Sequence, residues 1–336
     1  MIKKIFIILL ISKIFATFSI IAVDTNTGEV GSAGGSCIGN SIIISDIHPG
    51  KGVIHTQSYW MSANQQYASE LMENGFSPSE IIQLLESNDI QNNPSIRQYG
   101  IVDIDYGNNY GMLFEYECED IGDTQWYGPI GSGELGECTD NPIARSSSFT
   151  GDNCSTWMGH INGINYAIQG NILLNEEILL NMEENFINTN GPLDRKLMSA
   201  LQGAKIPGAD TRCLDEGIST LSAFIRIAKP FDQDQLYIDL NISNVTPYYT
   251  SNGTWIDPID MLQSNFDIWY ENEYPFILGD INIDSIIDIL DIVFLINIIL
   301  GQDITGNQYY LSDINQDNTI NIQDIILIIN IVINNS

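Results

Sequence analysis

Two twelve-residue stretches near the end of the chain, offset by 33 residues, carry oxygen-bearing side chains at the same five positions. Asp280, Asn282, Asp284, Asp288 and Asp291 fall at positions 1, 3, 5, 9 and 12 of the first; Asp313, Asn315, Asp317, Asn321 and Asp324 repeat them in the second. Alternate side chains of a tight loop turn to one side, and about six to eight converging oxygens are what a hard cation such as calcium takes. Position 7, Ile286 in one loop and Thr319 in the other, is expected to add a main-chain carbonyl. The spacing therefore predicts two Ca2+ sites. Each loop runs into an apolar helix, with Ile292, Leu295, Ile296 and Ile299 in the first and Ile325, Ile328, Ile329 and Val332 in the second forming a stripe at i, i+3, i+4, i+7. A solvated acidic turn would explain one such loop, but not two in register. A membrane span over 289–300 is excluded by its length and by Asp291 and Asn297.

This segment resembles the dockerin family, duplicated calcium-loop-and-helix modules in which Asp at position 12 replaces the Glu of ordinary EF-hands. Gly279 before the first loop and Gly301 after the first helix fit that pattern, whereas position 6, usually Gly, is Ser285 and Asn318. The resemblance implies a small all-α domain over 279–336 and a cohesin-like partner. The family's recognition positions, 10 and 11, hold Ile289 and Leu290 in one copy and Ile322 and Gln323 in the other. Apolar residues there either face a partner or pack the two helices on each other.

The whole chain is acidic: 43 Asp and Glu against 12 Lys and Arg give a net charge of −31, and no basic residue follows Lys229. Nucleic acid is excluded as a partner, because its binding needs cations that displace phosphate counterions. At 44% hydrophobic residues the chain is not disordered as a whole. Residues 1–16 start with Lys3 and Lys4, continue through an apolar run from Ile5 to Ile11 and end on Ala16, which reads as a secretory signal peptide. The expectation is a secreted, extracellular protein with no transmembrane segment after processing. In that oxidising setting the five cysteines are expected to pair. Cys118 and Cys138 bracket a Gly-rich loop, and Cys37 with Cys213 is the second candidate pair, leaving Cys154 as a small buried residue; spacing alone does not fix the connectivity.

From Thr17 the body opens with a hairpin, Thr17–Val23 and Glu29–Ser36 around an Asn26-Thr27-Gly28 turn. Ser77, Pro78 and Glu80 form a helix-starting capping box. Further strands are expected at 98–106, 218–228 and 236–242, and helices at 176–188, 192–203 and 258–270. Hairpins with paired helices make an α+β layered fold.

The stretches TFSIIAVDTNTGEVGSA (17–33), RQYGIVD (97–103), SFTGDNCSTWMGHINGINYAIQGNIL (148–173) and GPLDRKLMSALQGAK (191–205), with Asp257-Pro258, resemble in the same order the bacterial domain of unknown function 1028. That group is regarded as N-terminal-nucleophile (Ntn) hydrolase-like. The resemblance covers 17–272 and implies a four-layer αββα sandwich; it supplies no substrate. The chain departs from the family in its cysteine-bracketed 118–138 loop, in Asp210-Thr211-Arg212-Cys213, and in depending on secretion to free Thr17. The organisation is thus a signal peptide (1–16), an Ntn-hydrolase-like domain (17–272), a linker (273–278) and the dockerin-like domain (279–336).

An N-terminal Thr carries its own base, since its α-amine titrates near pH 8. Thr17 is therefore the candidate nucleophile for a small amide or peptide substrate, with no organic cofactor needed. Asn171, in the Gln-Gly-Asn turn, and the Gly170 amide are candidate oxyanion donors. Gln57 and His55 end a strand-like run and are expected to line the pocket, as is His160 in the WMGHING turn; His48, beside Pro49-Gly50, reads as a turn residue. Arg97 and Arg212 could grip a substrate carboxylate, but internal ion pairs, Arg212 with Asp210, are the favoured reading. No phosphate loop, HExxH, GxSxG or zinc-spaced Cys/His cluster occurs. The alternative to an amidohydrolase is a non-catalytic binding or structural module of an extracellular cohesin–dockerin type assembly.

Overall fold

A computed structural model describes residues 17–106, 116–120, 125–129, 136–137, 142–189, 191–233, 235–244, 255–273, 277–302, 304, 306–315, 317 and 319–334. The chain divides into two compact units, one made of 1–189 with 193–263, the other of 190–192 with 264–336.

The first unit begins with β1 (Thr17–Val23), β2 (Val30–Ser36), β3 (Ser45–His48), β4 (Gly52–Ser58), α1 (Ser62–Glu73) and α2 (Pro78–Ser87). It continues through β5 (Arg97–Asp105), β6 (Tyr116–Asp120), β7 (Gln125–Pro129), β8 (Gly136–Glu137), β9 (Ile143–Thr150), β10 (Gly159–Asn162) and β11 (Tyr166–Asn171). The helices α3 (Glu177–Asn188) and α4 (Leu193–Gly203) and the strands β12 (Ser222–Ala228) and β13 (Ile238–Ile242) follow; of the helix α5 (Pro258–Glu273), residues 258–263 belong to this unit and 264–273 to the second. The strands form an antiparallel sheet of order β10-β11-β1-β2-β12-β13 and another of order β3-β4-β5-β9, with β6-β7-β8 as a small third.

Period-two alternation explains how these sheets stack. Ile54, Tyr99 and Ile101 point from β4 and β5 onto Ala68, Met72, Ile81 and Leu85 of α1 and α2. The opposite face of the same strands carries Val53 and Val102, which meet Ile21, Val23, Val30 and Ala167 of the larger sheet. That larger sheet is covered on its other side by α3 and α4. Its close approach to α4 depends on Gly31, where a Cβ would lie 2.4 Å from Leu197 Cδ1. The α2 helix starts as expected: Glu80 Oε2 accepts from the Ser77 amide at 2.9 Å and the Ser77 hydroxyl at 2.6 Å. The helix α1 is not apparent from periodicity, because its buried side is thin and includes a polar residue, Asn64.

Cys37 and Cys213 are disulfide-bonded, with Cα atoms 5.9 Å apart, and Cys154 is free and buried. The expected Cys118–Cys138 bridge lies outside the described residues.

The second unit contains α6 (Ile289–Ile299), α7 (Gly306–Ser312) and α8 (Ile322–Asn334). Its core is Ile281, Ile292, Leu295, Leu311 and Ile328. The expected stripe is corrected here: Ile296, Ile299 and Ile329 are among the exposed residues, while Ile298 packs against the core. Both helices are apolar nearly all round, so periodicity could not select the inward face. Among the described residues no helix is long and apolar enough to cross a membrane.

Candidate functional site

The layer between the two large sheets changes character along its length. At one end it is the apolar cluster of Ile21, Val23, Val53, Val102 and Ile104. Towards the other end the same strand faces present Thr17 and Ser19 from β1, His55 and Gln57 from β4, Gln98 from β5, and Gln169 and Asn171 from β11, all essentially without solvent exposure. Buried polar groups of this number are tolerable only when hydrogen-bonded.

The bonds are ordered by backbone carbonyls that can only accept. Gln98 Nε2 donates to Gly170 O at 2.8 Å and Gly159 O at 3.0 Å, and lies 2.9 Å from Thr150 Oγ1. The opposite end of that amide is therefore oxygen, and it accepts from Gln57 Nε2 at 2.7 Å and Asn171 Nδ2 at 2.9 Å. Gln57 Oε1 in turn accepts from Ser19 Oγ at 2.8 Å. Ser19 thereby spends its only proton, so the 2.9 Å contact from Gln169 Nε2 brings a donor to its oxygen. Gln169 Nε2 also lies 3.0 Å from His55 Nδ1, which accepts if His55 carries its proton on Nε2, 2.6 Å from Ser32 Oγ. Burial, with Arg226 adding to it, pulls His55 down to about 3, so the ring is neutral at ordinary pH. Gly100 makes room for Gln169: a Cβ there would lie 2.0 Å from its Oε1.

Thr17, Asn171, Gly170, Gln57 and His55 thus fall in one place. Thr17 is the first residue of β1 and stands in register with Asn171, and its carbonyl is 3.5 Å from Gln57 Nε2. Asn171 closes a strand, not a turn, and Gly170 lies between two paired strands with its carbonyl held by Gln98. His160 is also in a strand, β10, where its exposed ring reaches the layer through Thr150 Oγ1 at 2.9 Å. His48 ends β3 and is an ion-pair residue, 2.6 Å from Glu73 Oε1; burial lowers its basicity, but Asp46 and Glu73 outweigh that and hold it above the usual histidine value.

The arginines are internal, as favoured. Arg97 is buried on Asp89, Nε to Oδ2 2.7 Å, and Arg212 is forked onto buried Asp210 at 3.0 and 2.7 Å. Gln98, Ser19 and Gln169 were not anticipated. For Ser19 and Gln169 a signal was present, since each alternates with a second polar residue, Thr17 or Asn171, in an otherwise apolar strand; Gln98 has no such neighbour on its face of β5.

In the acidic loops the two copies repeat their hydrogen bonds. Asp291 accepts from the amides of Ile281, Asn282 and Asp288, and Asp324 from those of Ile314, Asn315 and Asn321. Asp280 and Asp313 both accept from the amide of the position-5 residue at 3.0 Å. Burial, reinforced by neighbouring Asp side chains, raises Asp280 and Asp291 above the usual carboxylate value. Crowded, part-desolvated carboxylates with amide and carbonyl oxygens fit a hard cation, which would relieve that repulsion. Among the described residues no three Asp, Glu, His or Cys side chains make a metal-holding group by themselves; the loops mix carboxylates with Asn. Ser285, at position 6, takes the left-handed backbone usual for Gly, with φ +71°. Asn318, its counterpart, lies outside the described residues.

Residues 278–333 match the dockerin type I domain, a module that binds calcium. A crystal structure of protein SPO2555 from Silicibacter pomeroyi, described with the DUF1028 family, is similar at 19% identity, covering 75% of this chain and 88% of that one with a TM-score of 0.48. No curated protein matches the chain. Residues 17–113 and 141–248 match the family of unknown function DUF1028, and the chain belongs to that family, with a dockerin type I domain behind it.

Proposed function

We propose that the protein is an exported Ntn-type amidohydrolase, freed at Thr17 by removal of residues 1–16 and attached to a cohesin-type partner through its calcium-loaded tail. The observation that carries the catalytic part is the position of Thr17: first in a central strand, on the face between the sheets, in register with Asn171 inside the buried amide layer. The order of helices, sheet, sheet and helices supports a four-layer αββα sandwich over 17–272.

In this reading Thr17 Oγ attacks a substrate amide carbon while its proton passes to the Thr17 α-amine. The resulting oxyanion takes a hydrogen bond from the Asn171 Nδ2 proton not given to Gln98, worth about 3 kcal/mol when well aimed; the Gly170 N–H faces Gly159 in the β10–β11 ladder and does not serve. Collapse breaks the C–N bond, and the ammonium returns its proton to the leaving amine. Water, deprotonated by the same α-amine, then attacks the ester, releases the acid and restores the hydroxyl. Gln57 and His160 help hold the pocket.

In the tail, Asp280, Asn282, Asp284, Ile286, Asp288 and Asp291 would hold one calcium, and Asp313, Asn315, Asp317, Thr319, Asn321 and Asp324 a second. The ions would supply the stability of the loop–helix units. Ile289, Val293, Ile296 and Leu300 recur 33 residues on as Ile322, Ile326, Ile329 and Ile333, all exposed. A partner with an apolar contact face suits them.

The test is the mass and labelling of the secreted protein in calcium. A chain starting at Thr17 and acylated there by a β-lactone probe supports the hydrolase. A different first residue, or an unreactive Thr17, overturns it. The full burial of the polar layer favours the second reading, a non-catalytic module of an extracellular assembly, and that outcome would leave it standing.

A further inference from the structure

Of the polar atoms in the inter-sheet layer, two amide oxygens stand out. Asn171 Oδ1 and Gln169 Oε1 are buried and have no hydrogen-bond partner, although the nitrogens of both side chains are engaged. An unpaired buried acceptor costs about 1–3 kcal/mol, so a site that keeps one is arranged for a donor. For Asn171 the orientation is imposed from outside. Two backbone carbonyls fix which end of Gln98 is nitrogen, Gln98 Oε1 then demands a donor, and Asn171 must turn its Nδ2 towards it. Asn171 Oδ1 is left facing elsewhere, on the residue paired in register with Thr17.

We propose that Gln98 is a positioning residue, which locks the Asn171 side chain so that Oδ1 receives the amine created at Thr17 when the leader is removed. This rests on the hydrolase reading above and gives it a specific consequence: Asn171 orients the base as well as the oxyanion. Gln98 itself touches neither substrate nor amine.

The experiment uses the secreted, calcium-loaded full chain and reads the Thr17 amine directly, by the pH dependence of its acetylation with acetic anhydride and peptide mass spectrometry. Other charged or ionisable groups around the layer are His55 on β4, Arg226 on β12, His160 on β10 and, at the ends of β2 and β11, Asp210 and Arg212, which meet Cys37 N and Ser36 Oγ; none of them is altered. In N171D a carboxylate faces the amine, and the midpoint rises by about one pH unit. In Q98L the Asn171 amide is no longer locked, and the midpoint falls. A carboxylate has two equivalent oxygens and needs no locking, so Q98L/N171D returns to the N171D value. A purely structural Gln98 would show no such rescue. An unchanged midpoint in N171D overturns the inference while leaving the hydrolase intact. A chain that lacks an N-terminal Thr17 peptide overturns both. Should the variants fail to fold, the unsubstituted protein decides: the Asn171 side-chain carbonyl 13C signal must titrate with the amine, and a flat signal overturns the inference.

Discussion

Replacement of Arg97 by Met separates a structural arginine from a substrate-binding one. Arg97 is 1% exposed and spends its guanidinium inside the fold: Nε on Asp89 Oδ2 at 2.7 Å, one terminal nitrogen on Gln91 Oε1 at 2.8 Å and the other on the Tyr59 carbonyl. Burial would raise Asp89, but Arg97, the Asn93 and Gln91 amides and Asn64 hold it down to about 2. Arg97→Met keeps most of the side-chain volume yet leaves that carboxylate buried without its counter-charge. Such a broken pair costs about 3–5 kcal/mol, whereas replacement of both partners is far cheaper. For a unit of this size about 2–4 °C accompany each kcal/mol, so R97M should melt about 6–20 °C lower. The assay is thermal and urea unfolding of the purified protein with calcium and the disulfide intact, on R97M, D89N and R97M/D89N. The double variant should be more stable than the sum of the single losses predicts, by roughly 1–3 kcal/mol of coupling. A loss below about 1 kcal/mol in R97M, or strict additivity, would refute the buried-pair reasoning and return Arg97 to the pool of ligand-binding groups.

The same pair sets an acid limit. A carboxyl depressed from about 3.9 to about 2 stabilises the fold above pH 4 and loses that contribution as pH falls towards 2; urea midpoints between pH 5 and 2 should fall less steeply in D89N. Gly100→Ala puts a methyl against Gln169 Oε1 and should destabilise the body by about 1–3 kcal/mol in urea, with the tail unaffected. Ser285→Gly relieves a left-handed backbone and should raise first-loop calcium affinity up to about fivefold by calorimetry; an unchanged or weaker affinity argues against strain at that position. Chelation, or Asp324→Ala, should reduce the helical circular dichroism of α6 and α8 through loss of the loop that anchors them.

What sequence made legible follows the range of the interactions. The Ser77 capping box, the β1–β2 hairpin and the two acidic loops are each written within about a dozen residues, and each stands where expected. The Cys37–Cys213 pair spans 176 residues and stood only as a candidate, since five cysteines leave the connectivity open. Asn171 and His160 were assigned to turns because Gly and Asn nearby imitate turn chemistry. Their strands exist because β11 finds β1 and β10 as neighbours, a tertiary fact. Gln98 was passed over for the same reason. Nothing within RQYGIVD says that one side chain will meet Thr150, Gly159 and Gly170 from other strands. Residues that act as hubs are the least visible locally, because their partners are distributed along the chain.

The polar layer poses a physical question that the fold alone does not answer. Burying Ser, His and amide side chains between sheets is less favourable than burying the Val and Ile that fill the other end of the same layer, unless every polar atom is paired. Most are, through a sequence of bonds in which each amide fixes the next. A layer selected only for stability would have completed the set, or replaced Asn171 and Gln169 by apolar residues as Ala167 has done two positions earlier on the same face. The exceptions therefore carry the information. Two acceptors left open on the residues paired with Thr17 and Ser19 mark this end of the sandwich, and on the hydrolase reading the amine of a processed Thr17 would be the donor that Asn171 Oδ1 receives.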